Sequence, residues 1–492
     1  MTSVVLTRLY QGGLKEHLTT FADPRSGLLV RPDDTTHHTR PGVSLAEVLE
    51  QCHTPRLMLV AALADVPRSW FEAAHAQGWV LSHFSMEQRT ATARRGDRTI
   101  EIRLASASFF KDGADLAIVT RAWKALRQIV GRHGGGLPLL GSPGSIGLAL
   151  LERLLPAGSS YPVQSEAIRA LLHTHSPQPR KECLTASTLE HIPGFHYLDG
   201  RWMYAACLIY SFPVGSPERD CLDQFERYRP GWYRITATIP ADWQQVGLLP
   251  VPGERMGSEK PWTWPATPGA VLADLWVSEP ELRLALEQGW ACTIHERLLF
   301  AGQKVLRTWQ ERLVRMRADA ERLAPNLRPL VSGAIREILL HAVGRWHMQS
   351  WEEERTLTLD EWTRLASSLS ADEQMSAYQR ETGVMSYVAK RPLSGRETKW
   401  LRPEWSAYVW AYCRVLLTRR LLSLPRATIL GVNTDAIYVT VDPGWPDDGT
   451  PGSFRSKGVL AGPLAAPRTE EDLRRLKEVA ERTTTHGTLS GW

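Results

Sequence analysis

Cysteine is scarce and scattered: six residues, at 52, 183, 207, 221, 292 and 413, with no CxxC pair and no metal-ligand spacing. This argues against a zinc site and points to reduced thiols in a cytoplasmic setting. No run of eighteen apolar residues occurs, so no membrane span is expected. The opening MTSVVLTRLYQGG has no apolar core of the kind a secretory leader carries. No internal repeat is visible. Charge bias is slight, 58 Lys and Arg against 53 Asp and Glu, a formal net charge of +5, which by itself says little about a nucleic-acid partner.

What is present is ordinary in bulk and uneven in detail. With 43% hydrophobic and 23% charged residues the composition suits a soluble globular protein, and 492 residues suffice for about three or four domains. Nineteen Trp form no motif and are assigned to packing. Between Glu296 and Ser350 there are ten Lys or Arg and five Asp or Glu, an excess equal to that of the whole chain. A local basic face is the usual footprint of phosphate binding, and a solvated helical surface is the ordinary alternative.

Along the chain, RLMLVAALA (56–64) reads as a buried strand and RTIEIRLASASFF (98–110) as an alternating one. DLAIVTRAWKALRQIV (115–130) has helical period and GRHGGG stops it. Residues 157–195 read as a linker with one helix, YRITATI (233–239) as a strand, and 250–269 as a loop. Two helices are expected over 296–321 and 329–348, separated by Pro325 and Pro329, then a long amphipathic helix over 404–424. A hairpin, ATILGVNTDAIYVTV (427–441), precedes a Gly/Pro-rich loop and a charged helix over 469–482.

The hairpin carries Asp435 at its tip, and Asp199 follows the short apolar piece FHYL, with Tyr204 five residues on. Each acid alone is an ordinary turn or strand-end residue. Together they suit nucleotidyl transfer, in which two ions about 3.5–4 Å apart stabilise the attacking and leaving oxygens, and Mg²⁺ prefers carboxylate and phosphate oxygens. In AIREILLHAVGRWHM (334–348), Arg336, Leu340, Val343 and His347 share one helical stripe, so Arg336 would face whatever the helix faces. A triphosphate needs such a cation; an arginine lying along its own helix is the ordinary alternative.

In this order the segments resemble the protein-primed family-B DNA polymerases of small bacteriophages and linear plasmids. Asp199-Gly-Arg-Trp-Met-Tyr204-Ala resembles the family's Asp-x-x-Ser-Leu-Tyr-Pro, and Asn433-Thr434-Asp435-Ala436 its Asp-Thr-Asp-Ser. Arg336 stands eight residues before Gly344, as the fingers lysine does before its glycine. The resemblance spans about 195–442. It implies an α+β polymerase right hand with Mg²⁺, or Mn²⁺, held by catalytic Asp199 and Asp435. Gly200, Tyr204 and Arg336 would line the nucleotide, Tyr204 excluding a 2′-hydroxyl. Lys304, Arg345, Arg455 and Lys457 would contact DNA. The implied partners are a DNA template–primer, deoxynucleoside triphosphates and a priming protein, as in a phage-like mobile element.

The departures are specific. Asn433 replaces the family's first hairpin acid, Arg336 replaces a lysine, and the Tyr-x-Gly-Gly and Lys-x-Tyr motifs are missing. HSPQPRKE (175–182) stands in the place of the first, with Arg180 and Lys181 as candidate backbone contacts. The family's ribonuclease-H-like exonuclease needs an Asp-x-Glu that does not occur before residue 60, leaving Asp115 as one residual acid. One acid does not hold two metals, so proofreading is expected to be lost. The expected division is a degenerate exonuclease-type domain at 1–150, a linker at 151–194, palm at 195–295, fingers at 296–350, palm again at 351–451 and a short thumb at 452–492. Two other activities remain open: a polymerase-shaped nucleic-acid-binding module with little catalysis, and a primer-independent or untemplated nucleotidyltransferase.

Overall fold

The computed structural model describes residues 19–487, apart from 62–65, 73, 75–76, 86–89, 111–114, 140–141, 157–160, 254–261, 376, 380–383 and 394–397. The opening segment and the middle of the 250–269 loop lie outside the described residues. Residues 1–154 with 311–400 form one compact unit, and 155–310 with 401–492 a second.

The first unit is built on seven strands: β1 (Thr19–Asp23), β2 (Leu28–Val30), β3 (Thr36–His38), β4 (Arg56–Leu59), β5 (Val80–Ser85), β6 (Thr90–Arg95) and β7 (Arg98–Leu104). Their order is β3-β2-β1-β4-β7-β6-β5. The β1–β4 and β4–β7 pairs are parallel and the rest antiparallel. Every residue of β4 is buried, as expected of a central strand with both faces covered. β7 stops at Leu104, short of the predicted 110, because Ala105–Ser108 turn into a short helix. The helix Leu116–His133 ends at Gly134, as the glycines predict, and sets Trp123 against Phe21, ring centroids 5.9 Å apart.

In the second unit, β8 (Lys181–Cys183) and β9 (His191–Gly200) are followed by β10 (Phe212–Asp220) and β11 (Gly231–Thr238). Next come β12 (Val251–Pro252), β13 (Trp262–Thr263), β14 (Val271–Ser278) and β15 (Ala291–Gln303). A four-stranded antiparallel sheet runs β10-β15-β11-β14. β15 corrects the predicted helix start at 296: ACTIHERLLFAGQ pairs on both edges, and the helix begins only at Arg307. Arg328–Trp346 forms the second expected helix, with Pro329 in its first turn, where a missing N–H costs nothing.

The strands β16 (Ser350–Thr358), β17 (Tyr378–Gln379) and β18 (Val384–Pro392) make a small antiparallel sheet of the first unit. The helix Pro403–Leu422 returns the chain to the second unit. It is not amphipathic, as predicted, but buried nearly all round, the pattern of a core helix. Its Trp405 indole donates to Pro213 O at 2.8 Å, and Arg414 Nε meets Glu281 at 2.7 Å in a buried ion pair. Six tryptophans (79, 232, 290, 309, 346 and 405) are essentially inaccessible, so packing explains that part of the unusual count.

The last strands are β19 (Ile429–Asn433), β20 (Ala436–Val439) and β21 (Phe454–Ala465). With β8 and β9 they form the sheet β21-β9-β20-β19-β8. The helix Glu470–Gly487 packs on this sheet. Gly431 permits the approach, since a Cβ there would lie 2.4 Å from Leu473 Cδ1. Two expectations are corrected. Residues 181–183 of the predicted linker are an edge strand, and 454–465, expected as part of a loop, flank β9 along its length.

Candidate active site

β9 is the strand on which the site is assembled. Tyr197, Leu198 and Asp199 pair with Tyr438, Ile437 and Ala436 of β20 on one side. On the other side Asp199 stands opposite Arg455 of β21. Asp435 directly precedes β20 in the hairpin turn, and Gly200 N donates to Asp435 O at 2.9 Å. A Cβ at Gly200 would lie 2.6 Å from Met203 Cε and 3.0 Å from Asp435 O, so the side-chain-free position lets the turn reach the end of β9. The two acids are thus brought together by neighbouring antiparallel strands. Burial first, and then both Asp199 and Asp435, push the Tyr197 hydroxyl up; Tyr438 is raised by burial, Glu481, Asp435 and Asp199. Both phenols therefore sense both acids.

Asp199 is already engaged by side chains. Arg455 places Nη2 and Nε at 3.0 and 3.2 Å from Oδ2, and the Tyr197 hydroxyl donates to Oδ1 at 3.4 Å. Lys477, on the C-terminal helix, sets its ammonium 5.3 Å from the Tyr197 ring centre. Lys457 is pulled down by burial and then by the neighbouring Arg455, while Asp199 and Glu481 oppose the shift. Arg455, Lys457 and Lys477 thus gather beside the acids.

The turn that carries Asp435 is strained. Thr434 has φ +64°, a left-handed conformation costly for a β-branched residue. It is held from behind: Thr434 N donates to Arg180 O at 2.8 Å, and Asn433 pairs with Lys181 of β8. Arg180 is fully buried, forking onto Glu182 at 2.6 and 2.9 Å, donating to Gly247 O at 2.9 Å and stacking 5.0 Å over Trp264. This corrects its expected role as a nucleic-acid contact, because no part of it reaches solvent. Asn433 is exposed, accepts from Thr434 Oγ1 at 3.3 Å and bonds the Tyr438 hydroxyl.

Tyr204 lies on the short helix Met203–Cys207, half-buried, its hydroxyl accepting from the Trp410 indole. Burial, then Cys413 and Asp435, raise its pKa. Trp202, just before that helix, has φ +45°. Backbone strain of this kind clusters at functional sites.

The remaining predicted residues lie apart in sequence and in role. Lys304 is exposed just beyond β15 in the second unit. Arg336, Arg345 and Asp115 belong to the first unit. Arg336 is exposed, with Glu337 at 3.7 Å. Arg345 donates to Ser145 Oγ at 3.0 Å and Ser142 Oγ at 3.4 Å, an internal contact rather than a free cation. Asp115 caps a helix, accepting from Ile118 N at 2.7 Å.

Among the described residues no group of three or more His, Cys, Asp or Glu is placed to hold a metal. The donors at this site are two carboxylates, hard oxygen ligands that fit Mg²⁺ or Mn²⁺ completed by substrate phosphates and water. Tyr197 and Lys477 were not anticipated as site residues, and Arg180 was anticipated only as a nucleic-acid contact. Only Tyr197 left a signal, as the alternate residue of FHYLD.

No protein-family model and no curated protein matches this chain. Solved structures do. An orthorhombic crystal form of Phi29 DNA polymerase covers 88% of this chain and 81% of its own, at TM-score 0.60 and 11% identity. Phi29 DNA polymerase complexed with single-stranded DNA aligns over the same shares at TM-score 0.58 and 12% identity. Its ternary complex with primer-template DNA and incoming nucleotide substrates covers 88% and 82%, at TM-score 0.55 and 11% identity. The chain therefore has a mixed α/β, polymerase-like fold.

Proposed function

We propose that this protein is a DNA-directed DNA polymerase that adds deoxynucleotides by a two-metal mechanism. One observation carries the reading: Asp199 on β9 and Asp435 at the tip of the β19–β20 hairpin are joined through adjacent strands and the Gly200–Asp435 backbone bond. Asp199 and Asp435 would hold the divalent ions, which when bound supply charge neutralisation at the transferring phosphate. The strained hairpin turn fixes the position of Asp435. Tyr204 bounds the sugar side of the nucleotide site, and Gly200, lacking a Cβ, lets the turn that carries Asp435 close on β9. Arg455, Lys457 and Lys304 contact the nucleic-acid backbone, which requires cations but no sequence code. Proofreading is absent, since the acid left from the exonuclease pattern, Asp115, is a helix cap. A priming protein and a cytoplasmic, phage-like or mobile-element setting complete the proposal.

The test is extension of a labelled primer on a template with Mg²⁺ or Mn²⁺, repeated without template and without primer. Extension that needs both supports the proposal. Products formed without a template or without a primer establish the untemplated or primer-independent alternative instead. One observation favours a second reading, a polymerase-shaped binding module: Arg455 occupies Asp199. Tight template–primer binding with no extension in either metal establishes that reading.

A further inference from the structure

Asp199 and Arg455 face each other directly across the β9–β21 ladder. Both Nε and Nη2 of the guanidinium fall on the same carboxylate oxygen. The other oxygen takes the Tyr197 hydroxyl. The carboxylate is therefore neutralised before any divalent ion arrives. An ion bound to Oδ2 would have to share that oxygen with a guanidinium, and two cations that close repel. The pair is not locked in. Arg455 is 35% exposed and Asp199 19%, so the guanidinium can reach solvent while its aliphatic stem stays on the strand. What would draw it off is also on the page. A phosphodiester accepts a forked arginine as well as a carboxylate does, and Lys457 and Lys477 beside it favour an incoming anion.

We propose that Arg455 is a metal-gating residue: it occupies the metal face of Asp199 in the free protein and leaves for a backbone phosphate when nucleic acid binds. Divalent metal and nucleic acid are then positively coupled. Because coupling is reciprocal, each tightens the other by the same factor. This places Arg455 in a positioning role, acting on the metal through Asp199 rather than on the reacting phosphate. It also gives the chain a reason to hold metal loosely until template and primer are in place. The inference rests on the reading of Asp199 as a metal ligand.

The test measures Mn²⁺ affinity by electron paramagnetic resonance on the full chain, with and without a primer–template duplex with a 5′ template overhang. Wild-type protein, Arg455→Gln and Asp199→Asn are compared, with circular dichroism melts as the folding control. Without duplex, Arg455→Gln is expected to bind Mn²⁺ roughly tenfold more tightly than wild type, within the usual span of coupling factors. Duplex should tighten wild type by a similar factor and leave Arg455→Gln nearly unchanged. Equal affinities without duplex, or equal tightening in both proteins, overturn the gate. Mn²⁺ affinity that Asp199→Asn leaves unchanged, or no Mn²⁺ binding in any protein with duplex present, overturns the metal reading and the gate with it. If Arg455→Gln does not fold, Arg455→Lys carries the comparison. Keeping the cation, it should retain the duplex dependence, and loss of that dependence overturns the proposal.

Discussion

The amide of Gly200 donates to the carbonyl of Asp435 at 2.9 Å, joining the end of β9 to the turn of a hairpin from the far part of the chain. That bond makes one site of two acids distant in sequence. A methyl group at 200 would meet Met203 Cε and the Asp435 carbonyl. Gly200→Ala should therefore push the turn away from β9. Overpacking of this kind costs about 1–3 kcal/mol, readable by urea denaturation. Primer extension should fall further than stability alone explains. A variant with wild-type melting and wild-type extension would show that the turn does not need this close approach.

Tyr204 is half-buried on the helix that follows β9, with its hydroxyl tied to Trp410. If its ring bounds the nucleotide sugar, Tyr204→Ala should raise ribonucleotide use relative to deoxynucleotide by about tenfold or more, a difference of about 1.4 kcal/mol in transition-state binding. The readout is the ratio of kcat/KM for the two nucleotides. Unchanged discrimination would make Tyr204 a packing residue only.

Asp115 accepts from Ile118 N as a helix cap. Asp115→Ala should cost about 1 kcal/mol of stability and change no nuclease activity, because wild type should degrade no single-stranded 3′ end. Digestion by wild type that Asp115→Ala abolishes would reveal a nuclease site.

Glu404 is buried at the start of the helix Pro403–Leu422, and its Oε2 has no hydrogen-bond partner among the described residues. Burial raises its pKa from 4.5 to about 7, against the pull of Arg402. The folded protein therefore holds this proton where the unfolded chain has lost it. Its contribution to stability is full below the unfolded value and is lost as pH rises through the folded one. Between pH 4.5 and 7 the loss is of the order of 3 kcal/mol. Glu404→Gln should remove that slope, so its stability relative to wild type should increase from pH 5 to about 7 and level off above it in urea denaturation. Parallel pH profiles would contradict the shift.

How much of this was legible in sequence depended on range. The hairpin of β19 and β20 was readable because two apolar strands flank a polar turn, and β9 because FHYL leads into Asp199. The partners were not. β8 has three residues, too few to show a period, and lies in a stretch rich in Pro and Ser. β21 begins at Phe454 behind a Gly/Pro-rich loop from which no local pattern separates it, yet it puts Arg455 opposite Asp199. The basic count from 296 onward suggested helix where the alternation of 291–303 made a strand. Arg180 looked like a surface cation because burial depends on Glu182, Gly247 and Trp264, none of which its own neighbourhood announces as partners except Glu182.

The most direct measurement is the single-turnover rate of nucleotide addition by Asp435→Asn, alongside its affinity for template–primer. The substitution keeps size and hydrogen bonding but removes one negative charge from the pair formed with Asp199. Losing a metal-centred electrostatic contribution commonly costs about 100-fold or more in rate. DNA affinity measured without divalent metal should hold within about twofold, because Arg455, Lys457 and Lys304 supply it. A rate near wild type in Asp435→Asn, with DNA binding intact, would contradict the assignment of this acid to the metals and with it the two-metal account of the site.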